Sequence, residues 1–278
     1  MISVIILYYN DRIYITEAID SILKQNVPPK QIIIVDNGST DGGLEAFESN
    51  PQIQIIKLDC NLTIGAARNL GLGRVESEFV GFLDSDDIWE EDKIQKLLPF
   101  LEKKSTHYLH SNFVRIDSGG NILEQGPLSG LEGFCADEHF KLGSTSIGPP
   151  STVIARVSSI KEIGGFDNCL SLSSDWDLNQ RMARNFPIVH SKEYLVKYRV
   201  HSNNMSKNID LYFQEMSAAI FKNYKLFGVK KSEYRFAKSR LNLIMAGEFW
   251  NKRRLIFLKY LLMSVVIDPK VIIQRIYK

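Results

Sequence analysis

The sequence predicts an α/β fold, in which a mostly parallel central sheet is flanked by helices and followed by a C-terminal α-helical region. Short apolar runs of strand length alternate with stretches of helical periodicity through about the first 100 residues. Such runs are typical of strands buried on both faces, and their alternation with helices indicates parallel strands joined by crossovers. From about residue 209 the periodicity is helical to the end of the sequence.

The first 100 residues hold the most regular part of this pattern. Predicted strands cover residues 2–9, 31–35, 53–58 and 79–83, and helices are predicted at about 12–25, at 61–73 and from about 93. Pro28 and Pro29 end the first helix, because proline cannot continue the backbone hydrogen bonds of a helix.

The pattern of apolar residues is less regular in the rest of the sequence. Strands are expected at 108–116, 122–125 and 151–155, with two more short strands between 188 and 200. Helices are expected at 158–163, from about 174, and then at 209–227, 234–250 and 254–266, with a last short helix starting at Pro269. The long connection 126–148 is predicted to be loop-like, and loops of this length are usually functional or mobile.

Polar residues follow three of the predicted strands. These are Tyr8-Tyr9-Asn10, Asp36, and the run Asp84-Ser85-Asp86-Asp87. The carboxyl ends of parallel strands share one edge of the sheet, where nucleotide sites tend to lie. The sequence has neither a Gly-x-Gly-x-x-Gly nor a P-loop motif, so a dinucleotide-binding fold and a P-loop are disfavoured. The phosphates of a bound nucleotide would then be neutralised by a metal on Asp86 or by Arg68.

The run from Asp84 to Asp87 has two interpretations. Residues two apart in extended chain point the same way, so Asp84 and Asp86 can aim at one hard cation. Alternatively, Asp87 with Glu90 three residues later forms a capping box at the start of the next helix. The residues of this run alone leave the metal site and the helix cap equally supported.

Other candidate residues also have a purely structural interpretation. Asp36 begins a good turn sequence, Asp-Asn-Gly-Ser-Thr-Asp. Arg68 lies among small residues and can reach a buried anion, or it is a surface arginine. Ser174 with Asp177 resembles a capping box, and a lone histidine at a strand end, such as His201, is more often structural than a ligand. The five histidines show no His-x-x-x-His spacing, which argues against a zinc site.

The charge of the chain is unevenly distributed. Residues 210–278 carry 14 Lys/Arg and 5 Asp/Glu, a net charge of +9, whereas residues 1–209 carry −7 within a total of +2. Such asymmetry predicts a contact between the basic C-terminal region and an anionic surface. An amphipathic helix rich in Lys and Arg can lie on a membrane surface, but its apolar face can equally pack on the protein body. No pattern indicates a nucleic-acid partner.

Cysteine usage and the N-terminus point to the cytoplasm. Cys60, Cys135 and Cys169 are scattered and odd in number, so they predict neither a disulfide framework nor a metal site. Residues 1–7 lack a basic region and a cleavage site, and they read as a strand and not as a signal peptide. The longest apolar stretch, 255–267, is interrupted by Lys259 and is too short to cross a membrane, which takes about 20 residues.

Taken together, these landmarks resemble the family 2 glycosyltransferases of the GT-A fold over about residues 1–205. Each segment is weak alone, but their order and spacing together are very specific. The segments are Val4-Ile5-Ile6-Leu7-Tyr8-Tyr9-Asn10, Ile33-Ile34-Val35-Asp36-Asn37-Gly38-Ser39-Thr40-Asp41, Gly65-Ala66-Ala67-Arg68-Asn69, Phe82-Leu83-Asp84-Ser85-Asp86-Asp87, Gly164-Gly165-Phe166-Asp167, Asp175-Trp176-Asp177-Leu178 and Tyr198-Arg199-Val200-His201.

The resemblance implies a role for each matching position. The residues that bind the nucleotide-sugar donor would be Leu7, Tyr9, Asp36, Arg68, Asp84 and Ser85. Asp86 and His201 would bind Mn²⁺ or Mg²⁺ at the diphosphate of the donor. Asp175 would be the general base, and Trp176 would line the acceptor side. Residues 1–208 would form the transferase domain, with a nucleotide-sugar half of about 1–100 and an acceptor half of about 101–208, and residues 209–278 would form a helical C-terminal region.

The activity implied by the resemblance is an inverting, metal-dependent transfer of a sugar from a UDP-sugar to a hydroxyl group. The acceptor would be a glycan or lipid-linked glycan in bacterial surface polysaccharide synthesis, at the cytoplasmic face of the membrane. Two alternatives are a nucleotidyltransferase, which usually carries a basic, glycine-rich phosphate loop that is absent after the first strand here, and a non-catalytic nucleotide-sugar-binding module.

Three positions depart from the family pattern. Leu7 stands where proline is frequent and Asn37 where aspartate is frequent, which leaves the nucleobase open. Ser174 precedes Asp175 where many members have glutamate. The choice of base between Asp175 and Asp177 is therefore open from the sequence, although position favours Asp175.

Overall fold

The computed structural model describes residues 1–126, 129–143, 146–202, 204–205, 208–250 and 253–272. Within these residues the chain forms one mixed sheet flanked by helices, with three further helices at its C-terminal end. The predicted α/β fold is confirmed. The helices are α1 (Ile15–Leu23), α2 (Ile64–Leu72), α3 (Lys93–Leu101), α4 (Ala136–Phe140), α5 (Val157–Glu162), α6 (Ser174–Asn185), α7 (Ile209–Phe227), α8 (Lys231–Phe249) and α9 (Arg254–Ile267).

The described part of the sheet has nine strands. They are β1 (Ile2–Tyr8), β2 (Gln31–Asp36), β3 (Ile53–Lys57), β4 (Phe79–Asp84), β5 (Ile88–Trp89), β6 (Tyr108–Ile116), β7 (Ile122–Gln125), β8 (Val153–Arg156) and β9 (Ile188–Arg199). Their order is β3-β2-β1-β4-β8-β6-β9-β5, with β7 beside β6. Strands β1 to β4 are parallel to one another, whereas β8 and β5 pair antiparallel with their neighbours.

The apolar runs of the parallel strands are explained by two hydrophobic cores, one on each face of the sheet. Ile5 of β1 packs into the core on the side of α2 and α6, while its neighbours Val4 and Ile6 pack into the core on the side of α1 and α3. Successive side chains of a strand point to opposite faces, so a strand covered on both faces needs apolar residues at every position.

Strand β9 is continuous, and the prediction of two short strands between residues 188 and 200 was wrong. It runs parallel to β6 from Ile188 to Arg199, with register irregularities opposite Ser111 and Asn112. Such irregularities break the alternation of polar and apolar residues. The loss of alternation explains why the sequence suggested two elements.

Asp87 does not cap a helix, and that prediction was wrong. Helix α3 begins only at Lys93, and Ile88–Trp89 pairs with β9 as strand β5. Asp87 is completely buried, where its carboxylate accepts hydrogen bonds from Ser151 Oγ at 2.5 Å and from the backbone N–H of Arg199 at 2.9 Å. Burial, together with Asp86 and Asp84, raises the pKa of Asp87 well above its usual range.

Gly81, in the middle of β4, makes room for a large side chain from β5. A Cβ atom at this position would lie 2.5 Å from the Trp89 ring, which is far closer than atoms approach in proteins. The Trp89 indole is fully buried and donates to the backbone carbonyl of Ser151 at 2.7 Å. The glycine therefore lets the residues after the Asp84–Asp87 run fold back over the strand that precedes it.

Helices α7 and α8 share a separate core, in which they pack on α4. Its buried residues are Phe140, Met216, Ile220, Val229, Ala237 and Leu241. Helix α9 packs on α8 through Ser239, whose hydroxyl donates to the carbonyl of Ser264 at 2.8 Å. No helix within the described residues is long and apolar enough to cross a bilayer. The short helix predicted from Pro269 extends into 273–278, outside the described residues.

Helix α9 packs on α8, with Leu261 half-buried, and its outward face is apolar and exposed. Leu258, Leu262 and Val265 are 47%, 63% and 39% exposed, respectively. Ser264, on the opposite side of the helix, is completely buried. Helical spacing thus turns the apolar stripe of α9 away from α8.

Candidate functional site

The polar strand ends meet at one edge of the sheet, as predicted. In the parallel pairing of β1 with β2, Tyr8 lies beside Asp36, and in the pairing of β1 with β4, Leu7 lies beside Asp84. These registers place the end of β1 between the Asp36 turn and the Asp84–Asp87 run. The three segments that the sequence singled out are therefore adjacent in space.

The β1 end offers one exposed aromatic ring at this edge. The Tyr9 side chain is 43% exposed, and Leu7 is half-buried. Tyr8 is instead buried, with its hydroxyl donating to Asp41 Oδ1 at 2.5 Å, and burial with Asp41 raises its pKa. Asp36 is buried, and its Oδ1 accepts from the backbone N–H of Ser39 at 2.9 Å. That bond gives Asp36 the turn role predicted from the sequence.

Asn37, which stands where the family often has aspartate, holds the next loop in place. Its side-chain oxygen accepts from the N–H of Leu62 at 2.9 Å, and its amide nitrogen donates to Asn61 Oδ1 at 2.7 Å and to the carbonyl of Leu62 at 3.0 Å. An amide side chain can both donate and accept hydrogen bonds, whereas an ionised carboxylate can only accept them, so aspartate could not make all of these bonds. The departure at this position therefore has a structural function.

Arg68 connects the two halves of the site. Helix α2 begins after Thr63, whose hydroxyl caps the N–H of Ala66 at 3.2 Å. The Arg68 side chain is 6% exposed, and its Nη2 lies 2.7 Å from Asp84 Oδ1. Its Nη1 lies 3.4 Å from Ser174 Oγ, next to Asp175 in sequence. Arg68 is thus a buried cation at the site and not the surface arginine that the sequence also allowed.

Asp86 and His201, 115 residues apart in the chain, are in contact. The Nε2 atom of His201 lies 3.0 Å from Asp86 Oδ2, which also accepts from the side chain of Asn204 at 3.0 Å. Burial and the nearby Asp84 carboxylate raise the pKa of Asp86 to about 6, while His201 opposes this shift. Ser85, between the two aspartates, donates to Asp11 Oδ2 at 2.8 Å.

Arg199 fixes this contact, although sequence reasoning assigned it no role. Its side chain is 1% exposed, and its guanidinium donates to the carbonyl of Asp86 at 2.9 Å and to Glu17 Oε2 at 2.5 Å. It also lies over the Tyr14 ring at 4.6 Å. In the sequence, only its place in Tyr198-Arg199-Val200-His201 pointed to Arg199. An arginine at the end of a strand is expected to be exposed to solvent, and its burial becomes clear only when β9 is paired with β5.

Asp175 and Asp177 have opposite environments, although both lie in the first turn of α6. Asp177 is completely buried and contacts Arg181 Nη2 at 2.7 Å, Lys222 Nζ at 2.6 Å and Asn223 Nδ2 at 2.8 Å. Asp177 therefore pairs with Arg181 of its own helix and with Lys222 of α7, and the capping box with Ser174 was wrong because no side chain caps α6. Asp175 is half-buried, and its Oδ1 accepts from the N–H of Trp176 at 2.8 Å.

The pKa of Asp175 is raised above that of an ordinary carboxyl group. Burial is the largest cause, and the Asp84 carboxylate adds to it, whereas Arg68 and the bond from Trp176 oppose it. A carboxylate with a raised pKa is a better proton acceptor when it is ionised. Asp175 thus combines raised basicity with a side chain that makes no ion pair with any other described residue at hydrogen-bonding distance.

Comparison with known proteins agrees with this geometry. Residues 3–164 match the model of the family described as Glycosyl transferase family 2. The chain belongs to glycosyltransferase family 2. A putative teichuronic acid biosynthesis glycosyltransferase, TuaG from Bacillus subtilis (strain 168), is 31% identical over 215 residues, covering 75% of this chain and 82% of that protein. Chondroitin synthase from Escherichia coli is 26% identical over 246 residues, which cover 84% of this chain and 34% of that enzyme.

The fold of this family 2 glycosyltransferase is also found in a solved structure. The crystal structure of S. aureus TarS residues 1–349, in complex with UDP-GlcNAc, superimposes with a TM-score of 0.70 at 19% identity. The match covers 96% of this chain and 81% of that one, so it includes the C-terminal helices. It confirms the GT-A fold predicted from the sequence.

Proposed function

We propose that this family 2 glycosyltransferase transfers a sugar from a UDP-sugar to a hydroxyl group of a glycan or lipid-linked glycan, with inversion at the anomeric carbon. The observation that carries the proposal is the convergence of Asp36, Asp84 and Asp86 with Arg68 and Asp175 at one sheet edge. The named relatives support a role in bacterial polysaccharide synthesis, since they are a teichuronic acid biosynthesis protein and a chondroitin synthase.

The donor would lie along the ends of β1, β2 and β4. Asp36 and the exposed ring of Tyr9, with Leu7 beneath them, would hold the nucleobase. Asp84 and Ser85 would contact the donor further along the edge. UDP-GlcNAc bound to TarS supports a UDP-sugar as the donor class. Which sugar is transferred depends on residues beyond these strand ends.

The metal would be held by Asp86 and His201. Within the described residues, no three His, Cys, Asp or Glu side chains form a complete metal-binding group, so the protein would supply part of the coordination shell. The Asp86 carboxylate, with His201 3.0 Å away, offers the oxygen ligand that Mn²⁺ and Mg²⁺ prefer, and these cations complete their coordination with water and substrate phosphates. When bound, the cation would offset negative charge on the departing diphosphate.

Asp175 would act as the general base. Inversion requires the acceptor oxygen to attack from the side opposite the leaving diphosphate, and a carboxylate on that side accepts the proton of the attacking hydroxyl. The ion pairs of Asp177 leave it no free carboxylate oxygen, which supports Asp175 in this role. Arg68 contacts both Asp84 and Ser174, and it would therefore hold the donor side and the base side of the site in a fixed relative position.

A donor screen tests the proposed activity. We expect UDP release from at least one of UDP-glucose, UDP-galactose, UDP-GlcNAc and UDP-glucuronic acid with Mn²⁺ and water as acceptor, and loss of release in EDTA. UDP should raise the melting temperature in Mn²⁺ and raise it less in EDTA. Tight UDP binding without turnover of any donor in the presence of acceptor extracts would instead indicate a non-catalytic module.

We further propose that the helical region 209–278 rests on the cytoplasmic face of the membrane. The exposed apolar face of α9 includes Leu255, Leu262 and Val266, which are 82%, 63% and 78% exposed. The basic residues Arg254 and Lys259 are exposed on the same helix, which contains no acidic residue. An apolar face flanked by basic side chains fits a leaflet of anionic lipids, where the lipid-linked acceptor would lie.

Charged substitutions on α9 test the membrane contact. We expect Leu258→Glu with Leu262→Glu to weaken binding to vesicles containing phosphatidylglycerol by at least about tenfold, because two leucines lose their burial in lipid. Co-sedimentation measures the binding. Ile122→Glu with Leu123→Glu, on exposed strand β7, is the matched control and should bind like the wild type. Unchanged vesicle binding, or a change in oligomeric state instead, would rule out this surface.

A further inference from the structure

The segment that leads into Asp175 is held by the C-terminal helical region. Residues 167–173 precede α6 and form an irregular turn across the end of α2. Helix α7 packs beside α6 and contacts this turn through Glu215 and Lys222. These contacts join the C-terminal helices to the candidate active site, although the sequence predicted only a helical C-terminal region.

Glu215 binds the backbone of the turn directly. Its carboxylate oxygens lie 3.1 Å and 3.0 Å from the N–H of Ser171, and Oε2 also lies 3.0 Å from the N–H of Ser173. Ser173 is completely buried and immediately precedes α6. Hydrogen bonds from backbone N–H groups to a carboxylate are roughly twice as strong as bonds between neutral groups. One side chain from α7 thus fixes both the turn and the start of α6.

Lys222, two helical turns further along α7, reinforces this arrangement. Its Nζ lies 2.7 Å from Asp167 Oδ2 and 2.6 Å from Asp177 Oδ1, so it bridges the beginning of the turn and the first turn of α6. Asn223 donates to the same oxygen of Asp177 at 2.8 Å. Asp175 lies between the two anchored positions, at Ser173 and Asp177.

The opposite side of the turn is held by α2, the helix that carries Arg68. The N–H of Gly65 donates to the carbonyl of Leu170 at 2.9 Å, and the Thr63 hydroxyl donates to the carbonyl of Asn168 at 2.7 Å. A Cβ atom on Gly65 would lie 2.1 Å from the carbonyl oxygen of Asp167, so the two segments touch backbone to backbone. The turn therefore has the donor side on one flank and α7 on the other.

We propose that Glu215 is a positioning residue for sugar transfer, which sets the place of Asp175 against the donor by fixing the turn before α6. This inference rests on the proposed role of Asp175 as base. The Asp175 carboxylate accepts a local hydrogen bond from the N–H of the next residue, so its position follows the backbone of the first turn of α6. Loss of the Glu215 carboxylate removes the bonds from α7 to the N–H groups of Ser171 and Ser173, although Lys222 still contacts Asp177, and it leaves the strand-end donor site untouched.

The expected effect is on turnover and not on donor binding. Glu215→Ala should lower kcat for UDP release at least about tenfold, because displacements of about 1 Å at a reacting group reduce rates by up to about 100-fold. The donor KM and the UDP affinity in Mn²⁺ should stay within about twofold of wild type. Glu215→Gln, which keeps one acceptor oxygen, should regain part of the lost turnover. Gln214→Ala, on the exposed side of α7, is the matched control and should behave as wild type.

The possible outcomes distinguish a failure of the positioning role of Glu215 from a failure of the proposed role of Asp175 as base. If Glu215→Ala and Glu215→Gln both turn over like Gln214→Ala while Asp175→Asn is inactive, Glu215 does not position the base. If both Glu215 variants lose UDP affinity in proportion to turnover, the residue only supports the fold. If Glu215→Ala does not fold, the same comparison is made with Glu215→Gln. A lowered kcat with an unchanged donor KM then supports the positioning role, and a wild-type kcat contradicts it. If Asp175→Asn retains transfer, the base itself is wrongly assigned.

Discussion

Replacement of Asp175 by asparagine should lower the rate of sugar transfer by at least about 100-fold and leave the fold intact, because a general base contributes about 10²–10⁴-fold to rate. The side chain is half-buried and, in the part of the chain that the structure describes, makes no ion pair at hydrogen-bonding distance. Asparagine has nearly the same shape but cannot accept the acceptor proton. UDP release and UDP affinity, measured on the same preparation, would show lost turnover with retained donor binding.

Asp177→Asn is the natural control, since it makes the same substitution two residues away. Asp177 pairs with Arg181 and Lys222 in a fully buried setting. Breaking a buried ion pair destabilises a protein by about 3–5 kcal/mol. We therefore expect Asp177→Asn to lower the melting temperature strongly, whereas Asp175→Asn should not. Near-normal transfer by folded Asp175→Asn would disprove the proposed mechanism.

The role of Asp175 also predicts the acidic side of the pH profile. The base works only when it is deprotonated, and burial raises its pKa above that of an ordinary carboxyl group. The rate should therefore fall as the pH falls through this raised pKa, at a higher pH than an unperturbed aspartate would give.

Replacement of Asp86 by asparagine should remove the dependence of UDP binding on Mn²⁺ and lower transfer by about 100-fold or more. The substitution removes the anionic oxygen that contacts His201 at 3.0 Å, and metal ions stabilise such transition states by several kcal/mol. Calorimetric titration of UDP, with Mn²⁺ and with EDTA, measures the first effect. The wild-type affinity should differ between the two conditions, and the affinity of the variant should not.

Asp59→Asn is the matched control for the metal prediction. Asp59 is exposed two residues beyond the end of β3, at the same edge of the sheet as Asp86. It should keep both the Mn²⁺-dependent UDP affinity and the rate of transfer. Equal behaviour of Asp86→Asn and Asp59→Asn would mean that Asp86 does not hold the cation.

The sequence was most informative where one residue pattern has one physical solution. Short apolar runs such as residues 32–35 predict strands covered on both faces, and these predictions were confirmed. Asp87 shows the limit of such reasoning. An aspartate three residues before a glutamate has the pattern of a helix cap, but the buried hydroxyl of Ser151 and the N–H of Arg199 come from distant segments and bind it instead.

The sequence by itself therefore determined the α/β fold, the strand ends that face the site and the family to which the chain belongs. These follow from local periodicity and from short motifs, both of which are carried by neighbouring residues. Only the tertiary structure decided which carboxylates are neutralised by ion pairs, because Asp177 meets Lys222 and Asp86 meets His201 across long stretches of chain. The tertiary structure also decided that α7 holds the turn before Asp175 and that α9 leaves its apolar face exposed. The spacing of apolar residues shows that a helix has an apolar face, but it does not show what covers that face.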